Sequence, residues 1–220
     1  MFLNREDAAR QLAERLKGRV LHDPLVLAIP RGGVVIGATL ADELGADLDL
    51  ALSRKLRAPD QPELAIGAVS EEGRVYLNRH GRELLAQSED YIVAERQRQL
   101  AELARRQRVY RAVCPAAPVK GRTVIVTDDG IATGATMLAA LQTIKSEKPR
   151  ELLVAVPVAH PDRLQEFRPW CDEVICLHWP AEFYSISQFY EDFMQVDDNE
   201  VLALLKAHAS RGQAPAAAKT

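Results

Sequence analysis

The stretch Thr123-Val124-Ile125-Val126-Thr127-Asp128-Asp129-Gly130-Ile131-Ala132-Thr133-Gly134-Ala135-Thr136 constrains this chain more than any other. Its β-branched apolar run reads as a strand. The run ends in two adjacent carboxylates, passes through small and hydroxyl residues, and gives way to the helix-forming Met137-Leu138-Ala139-Ala140-Leu141. A strand, a loop and a helix N-terminus in that order present backbone N–H groups and the positive end of a helix dipole, which suits a phosphate. Thr133 and Thr136 add hydroxyl donors, and the small Gly134 and Ala135 let a phosphate come close to the backbone. Asp128 and Asp129, at the strand's carboxyl end, suit either a pair of vicinal hydroxyls or a hydrated metal ion. A monophosphate with a diol close by is a ribose 5-phosphate.

Around this unit the chain alternates strand and helix patterns, which argues for an α/β fold with a mainly parallel sheet and helices on both faces. Asn4 caps a first helix whose stripe of Ala9, Leu12, Ala13 and Leu16 stops at Gly18. Packing on the outside of the sheet accounts for this helix without any functional role. Residues 25–29 read as a buried parallel strand and residues 34–44 as a helix ended by Gly45. Between them, Gly32 and Gly33 of Pro30-Arg31-Gly32-Gly33 can turn backbone amides toward a ligand, and Arg31 suits polyphosphate oxygens. Residues 47–52 form the next strand, ending in the basic cluster Ser53-Arg54-Lys55-Leu56-Arg57. In an open α/β sheet, ligands bind at such strand ends. Residues 63–69 and 74–78 read as a hairpin.

Residues 79–111 are a long charged helical stretch, with Ser88 starting a second helix. Its sparse stripe is Leu84, Tyr91, Ile92, Leu100 and Leu103. A solvated face, a homodimer-forming arm and a nucleic-acid patch are its three readings. Residues 151–158 and 173–177 are strands, and His160-Pro161-Asp162 opens a short helix. In a chain only 5% aromatic, His178, Trp179, Phe183, Tyr184, Phe189, Tyr190 and Phe193 cluster together. A last helix starts at Asp197-Asp198, with Val201, Leu202, Leu204 and Leu205 as its apolar face.

The length of 220 residues suits one domain over residues 1–209, and residues 210–220, rich in Ala, Gly and Pro, read as a disordered tail. A net charge of -3 argues against bulk nucleic-acid binding. With no leader-like N-terminus and no bilayer-spanning apolar run, the expectation is a cytoplasmic protein with no membrane partner. Cys114, Cys171 and Cys176 lack zinc-ligand spacing and read as reduced thiols, with Cys171 and Cys176 as a redox pair the other reading.

Residues 124–136 resemble the signature of type I phosphoribosyltransferases, which bind phosphoribosyl pyrophosphate (PRPP): an apolar strand, two acidic residues, an apolar pair, then Thr-Gly with small or hydroxyl residues. The chain also resembles a bacterial group of predicted phosphoribosyltransferases along nearly its whole length. The shared motifs are Pro-Arg-Gly-Gly, Arg-Lys-Leu, Pro-Glu-Leu-Ala-Ile-Gly-Ala and Tyr190-Glu191-Asp192-Phe193. The resemblance implies a Rossmann-like fold with a flexible-loop hairpin and a small hood over residues 178–196. It implies that Pro30, Arg31, Gly32 and Gly33, with Arg54 and Lys55, meet pyrophosphate, and that Asp128 and Asp129 meet the ribose. The phosphate cradle becomes Ala132, Thr133, Gly134, Ala135 and Thr136. Mg²⁺ is the implied cofactor, held mostly by substrate oxygens and water beside Asp128 and Asp129. The hood assigns Phe183, Tyr184 and Tyr190 to a small-molecule acceptor; a satellite core pinning the C-terminal segment is the other reading of the same aromatics.

The implied reaction transfers the phosphoribosyl group to a nucleobase or other nitrogen acceptor and releases pyrophosphate. Family members acting on 6-oxopurines often carry a carboxylate just before Thr-Gly, where this chain has Ala132, which disfavours that acceptor class. The alternative function is a non-catalytic PRPP-binding sensor. Such regulators carry an added DNA-binding module, and no helix-turn-helix pattern is visible here. A dinucleotide-dependent enzyme is excluded for want of a glycine fingerprint after the first strand.

Overall fold

The computed structural model describes residues 1–59, 61 and 64–212. Along the chain run α1 (Arg5–Leu16), β1 (Leu25–Ala28), α2 (Gly32–Leu44), β2 (Asp47–Leu50), β3 (Ser53–Arg57), β4 (Ala65–Ser70) and β5 (Val75–Leu77). Next come α3 (Arg79–Leu85), α4 (Glu89–Arg111), β6 (Thr123–Thr127), α5 (Ala135–Ser146) and β7 (Glu151–Val158). α6 (Pro161–Phe167), β8 (Glu173–His178), a 3₁₀ turn (Ile186–Phe189) and α7 (Asp198–Gly212) complete it.

The central sheet is parallel throughout, in the order β2-β1-β6-β7-β8. The apolar runs of β1, β6 and β7 are buried on both faces, which is why they lack a period-2 alternation. Along β6, Ile125 joins the core shared with α1, α2 and α7, whereas Val124 and Val126 join the core under α5 and α6. The order of strands reverses between β1 and β6, so the loops that follow those two strands leave the sheet side by side. Such a reversal opens a crevice at the strands' carboxyl ends.

Several elements stand where the sequence puts them. Asn4 caps α1 by accepting from the Asp7 N–H at 2.8 Å, and Gly45 ends α2 with φ 60°. The basic cluster, expected at the carboxyl end of a strand over residues 47–52, is itself a strand instead: Ser53–Arg57 forms β3, antiparallel to β4, with Lys55 opposite Ala68. The hairpin is therefore a three-stranded sheet, β3-β4-β5. Asp60, Pro62 and Glu63, expected in and before that hairpin, lie outside the described residues.

The stripe of α4 also differs. Its buried positions are Ile92, Glu95, Gln99, Leu103 and Tyr110, and Tyr91 and Leu100 are only partly buried. Glu95 and Gln99 turn inward because β3 needs acceptors: Glu95 accepts from the Arg57 backbone N–H at 3.1 Å and from the Gln99 amide at 2.8 Å. α7 continues to Gly212, into the expected tail, and residues 213–220 lie outside the described residues. All three cysteines are free, and burial pushes the thiols of Cys171 and Cys176 up to about 11. Among the described residues, no helix is long and apolar enough to cross a membrane.

α2 packs on β1 through Gly37, where a Cβ would stand 2.6 Å from the Ala28 Cβ. Alanine at a helix interior ordinarily gains about 0.5–1 kcal/mol over glycine. Overpacking here costs about 1–3 kcal/mol and outweighs that gain. Gly37→Ala is expected to lower the denaturant midpoint in chemical unfolding, whereas a stabilised variant would refute this tight packing.

Candidate active site

The loops after β1 and β6 are pinned together where they leave the sheet, the Ile29 N–H donating to the Thr127 carbonyl at 2.9 Å. The Pro30–Arg31 peptide is cis. A Cβ on residue 32 would overlap the Asp129 Oδ2, and one on residue 33 would lie 2.8 Å from the Asp128 Cα. Gly32 and Gly33 are thus required before any ligand arrives, because only bare backbone lets the two loops touch. Arg31 stands at the start of α2, half-buried, on the side of Tyr110 and Asp198. Asp198 is held below its ordinary range chiefly by the hydrogen bond from the Tyr110 hydroxyl (2.6 Å), then by Arg105 and Arg31.

The two carboxylates are differently engaged. Asp128 Oδ1 accepts from the Asp129 backbone N–H at 2.8 Å. Asp129, only 9% exposed, takes the guanidinium of Arg5 on Oδ2, at 2.9 Å from Nε and 2.8 Å from Nη2. Arg5 in turn donates from Nη1 to the Met194 carbonyl at 2.9 Å and lies 3.8 Å over the Phe193 ring. The Tyr190 hydroxyl donates to the Asp129 carbonyl at 2.6 Å. Burial first, and the neighbouring Asp129 charge second, push the Asp128 carboxyl well above the ordinary range. Burial also raises Asp129, against the pull of Arg5.

Arg5 has no place in the sequence reading, which gives its helix no function. Its signal is there: it occupies the apolar stripe that continues through Ala8, Ala9, Leu12, Ala13 and Leu16. A cation on a buried face, at the helix end where the dipole disfavours it, asks for a partner.

The loop after β6 runs on into α5. Gly134 stands before α5 in the left-handed conformation, φ 75°, with the Phe167 ring 3.1 Å from where its Cβ would be. The first-turn N–H groups of α5 have no intrahelical acceptor. Beside them Ala132, Thr133 and Thr136 are exposed, and Ala135 is half-buried. Two further residues, to which the sequence reading gives no part in the site, border this loop. The Arg163 Cδ lies 3.4 Å from the Cβ position of Gly134, and His160 donates its backbone N–H to the Ile131 carbonyl at 3.0 Å.

The other expected residues divide. Arg54 is half-buried and donates to Gln99 at 3.0 Å; burial, then Arg106, hold it below its ordinary range. Lys55, next along β3, projects from the opposite face of the strand. The pleat therefore sends these two cations to different sides. Tyr190 is buried beneath Asp129, its ring 5.3 Å from Phe2, and the N-terminus pairs alongside it through the Glu191 N–H to the Phe2 carbonyl at 2.9 Å. Phe183 packs on Phe189 at 5.2 Å and meets His160 edge-on at 6.0 Å, whereas Tyr184 is 87% exposed. Packing accounts for Tyr190, and Tyr184 stands in the open.

Tyr190→Phe removes the only donor that residue gives Asp129 and leaves a buried carbonyl short of a partner, a loss of about 1–2 kcal/mol. Urea unfolding at neutral pH is expected to show it; an unchanged midpoint would mean that the hydroxyl contributes nothing to the loop.

A family model, the phosphoribosyl transferase domain, matches residues 2–193. A Mycobacterium tuberculosis (strain H37Rv) relative named "Putative phosphoribosyl transferase Rv0571c" is 41% identical over 220 residues, which is 98% of this chain and 49% of that protein. The chain thus spans about half the length of the curated relatives it matches. The crystal structure of TT1426 from Thermus thermophilus is similar at a TM-score of 0.89 and 42% identity, covering 94% of this chain and 98% of that one.

Proposed function

The chain belongs to the phosphoribosyl transferase domain family, and from that premise we propose that it binds PRPP with Mg²⁺ and transfers the phosphoribosyl group to a nitrogen acceptor. The observation that supports the reading is the packing of the Pro30–Gly33 loop against the Asp128–Asp129 pair, with the uncapped first turn of α5 following that pair closely in the chain.

In this reading the amides around Thr133 to Thr136 and the two threonine hydroxyls take the 5-phosphate, with Arg163 beside them. Asp128 and Asp129 accept from the ribose hydroxyls. Arg31 and the amides of Gly32 and Gly33 take the pyrophosphate, and one of the two β3 cations, Arg54 or Lys55, closes on it. The bond from C1 of ribose to the pyrophosphate oxygen breaks, the acceptor nitrogen forms the new bond to C1, and that nitrogen's proton is released. Fixed donors on the departing pyrophosphate stabilise the charge that develops there. Among the described residues, no group of three His, Cys, Asp or Glu could cage a metal. The adjacent pair of carboxylates fits Mg²⁺, which keeps several waters and binds through one or two carboxylates and substrate phosphates. When bound, it would offset charge on the pyrophosphate.

Calorimetric titration with PRPP and Mg²⁺, followed by a pyrophosphate-release screen over purines, pyrimidines and small amines, tests this. Binding with release supports transfer; binding without release for any acceptor supports a sensor; no binding refutes both. A charged acceptor is worth about 1.5–3 kcal/mol, so Asp128→Asn is expected to weaken PRPP binding at least about tenfold; an unchanged affinity would remove Asp128 from the sugar site. Tyr184→Ala is expected to raise the KM of the acceptor several-fold while leaving PRPP affinity in place, and the reverse pattern would take Tyr184 out of the hood.

A further inference from the structure

We infer that Arg5 is a positioning residue for the sugar site, fixing the Asp129 carboxylate so that its Oδ1 faces the ribose hydroxyls; this rests on the phosphoribosyl reading above. Both contacts from Arg5 fall on Oδ2, and Gly32 crowds the same oxygen. With Oδ2 held by Arg5 and enclosed by Gly32, the plane of the carboxylate is set. Arg5 is itself fixed by the hood segment, through the Met194 carbonyl and the Phe193 ring. The Tyr190 hydroxyl fixes the Asp129 backbone from the same segment. The hood therefore holds Arg5, and Arg5 holds the carboxylate.

A purely stabilising role explains the pair poorly. Replacing a buried ion pair by apolar side chains of similar volume is often neutral or stabilising, and the rest of this stripe is alanine and leucine. A planar fork with several donors meets a carboxylate, a carbonyl and a ring at once, which an ammonium does not. The N-terminal helix and the hood, remote from each other in sequence, become working parts of one sugar site.

The test is calorimetry with PRPP and Mg²⁺ on five proteins: wild type, Arg5→Met, Arg5→Lys, Asp129→Asn and the Arg5→Met/Asp129→Asn double variant. Arg10→Met, exposed on the same helix, is the control. The expected result is a loss of at least about tenfold in affinity for Arg5→Met, a smaller loss for Arg5→Lys, and a double variant no weaker than Asp129→Asn alone. Arg10→Met is expected to bind as wild type. A folded Arg5→Met variant that binds PRPP as wild type, whatever its melting temperature, overturns the inference. Where Arg5→Met does not fold, Arg5→Lys decides: weakened binding upholds the inference and wild-type affinity overturns it. Failure of the wild-type protein to bind PRPP is a different outcome, and refutes the phosphoribosyl reading and the inference resting on it together.

Discussion

A carboxylate oxygen sits where the side chain of residue 32 would begin. That contact between Gly32 and Asp129 is what brings the loops after β1 and β6 into one crevice, and the rest of the arrangement depends on it. The parallel sheet supplies the coarse alignment, since its strand order reverses between those two strands. The glycines supply the fine one. A methyl group at either position would drive the loops apart and separate the carboxylates from the Pro30–Gly33 amides.

Placing two adjacent carboxylates in such a crevice is electrostatically unfavourable. Burial raises both pKa values, and for Asp128 the charge of Asp129 adds to the rise. The fold answers with the guanidinium of Arg5, brought in from α1 and held by the Met194 carbonyl and the Phe193 ring. The aromatic segment then has two parts. Tyr190 and Phe193 serve the carboxylate through the loop backbone and the Arg5 ring contact, and Tyr184 stands exposed.

Much of this was legible in the sequence. β6, the Asp pair, the turn and α5 could be read because each carries a local signal: β-branching, adjacent charges, a glycine before a helix former. The resemblance of the same residues to a family motif set the fold. β3 was hidden because five residues with three cations look like a loop, and only the partner strand, with its small Gly67 and Ala68, reveals the ladder. Glu95 and Gln99 were hidden for a related reason: they are polar residues turned inward to serve hydrogen-bonding groups of a strand 38 and 45 residues away. Arg5 was the hardest, since its partner is 124 residues distant and nothing local names it. Its place on an apolar stripe was the available clue.

A crystal structure of the protein with ribose 5-phosphate would show whether the loops after β1 and β6 hold a sugar phosphate. The phosphate is expected within hydrogen-bond distance of the backbone amides around Thr133 to Thr136, with the vicinal hydroxyls on Asp128 and Asp129. A sugar bound with its phosphate elsewhere, or with its hydroxyls turned away from both aspartates, would contradict it.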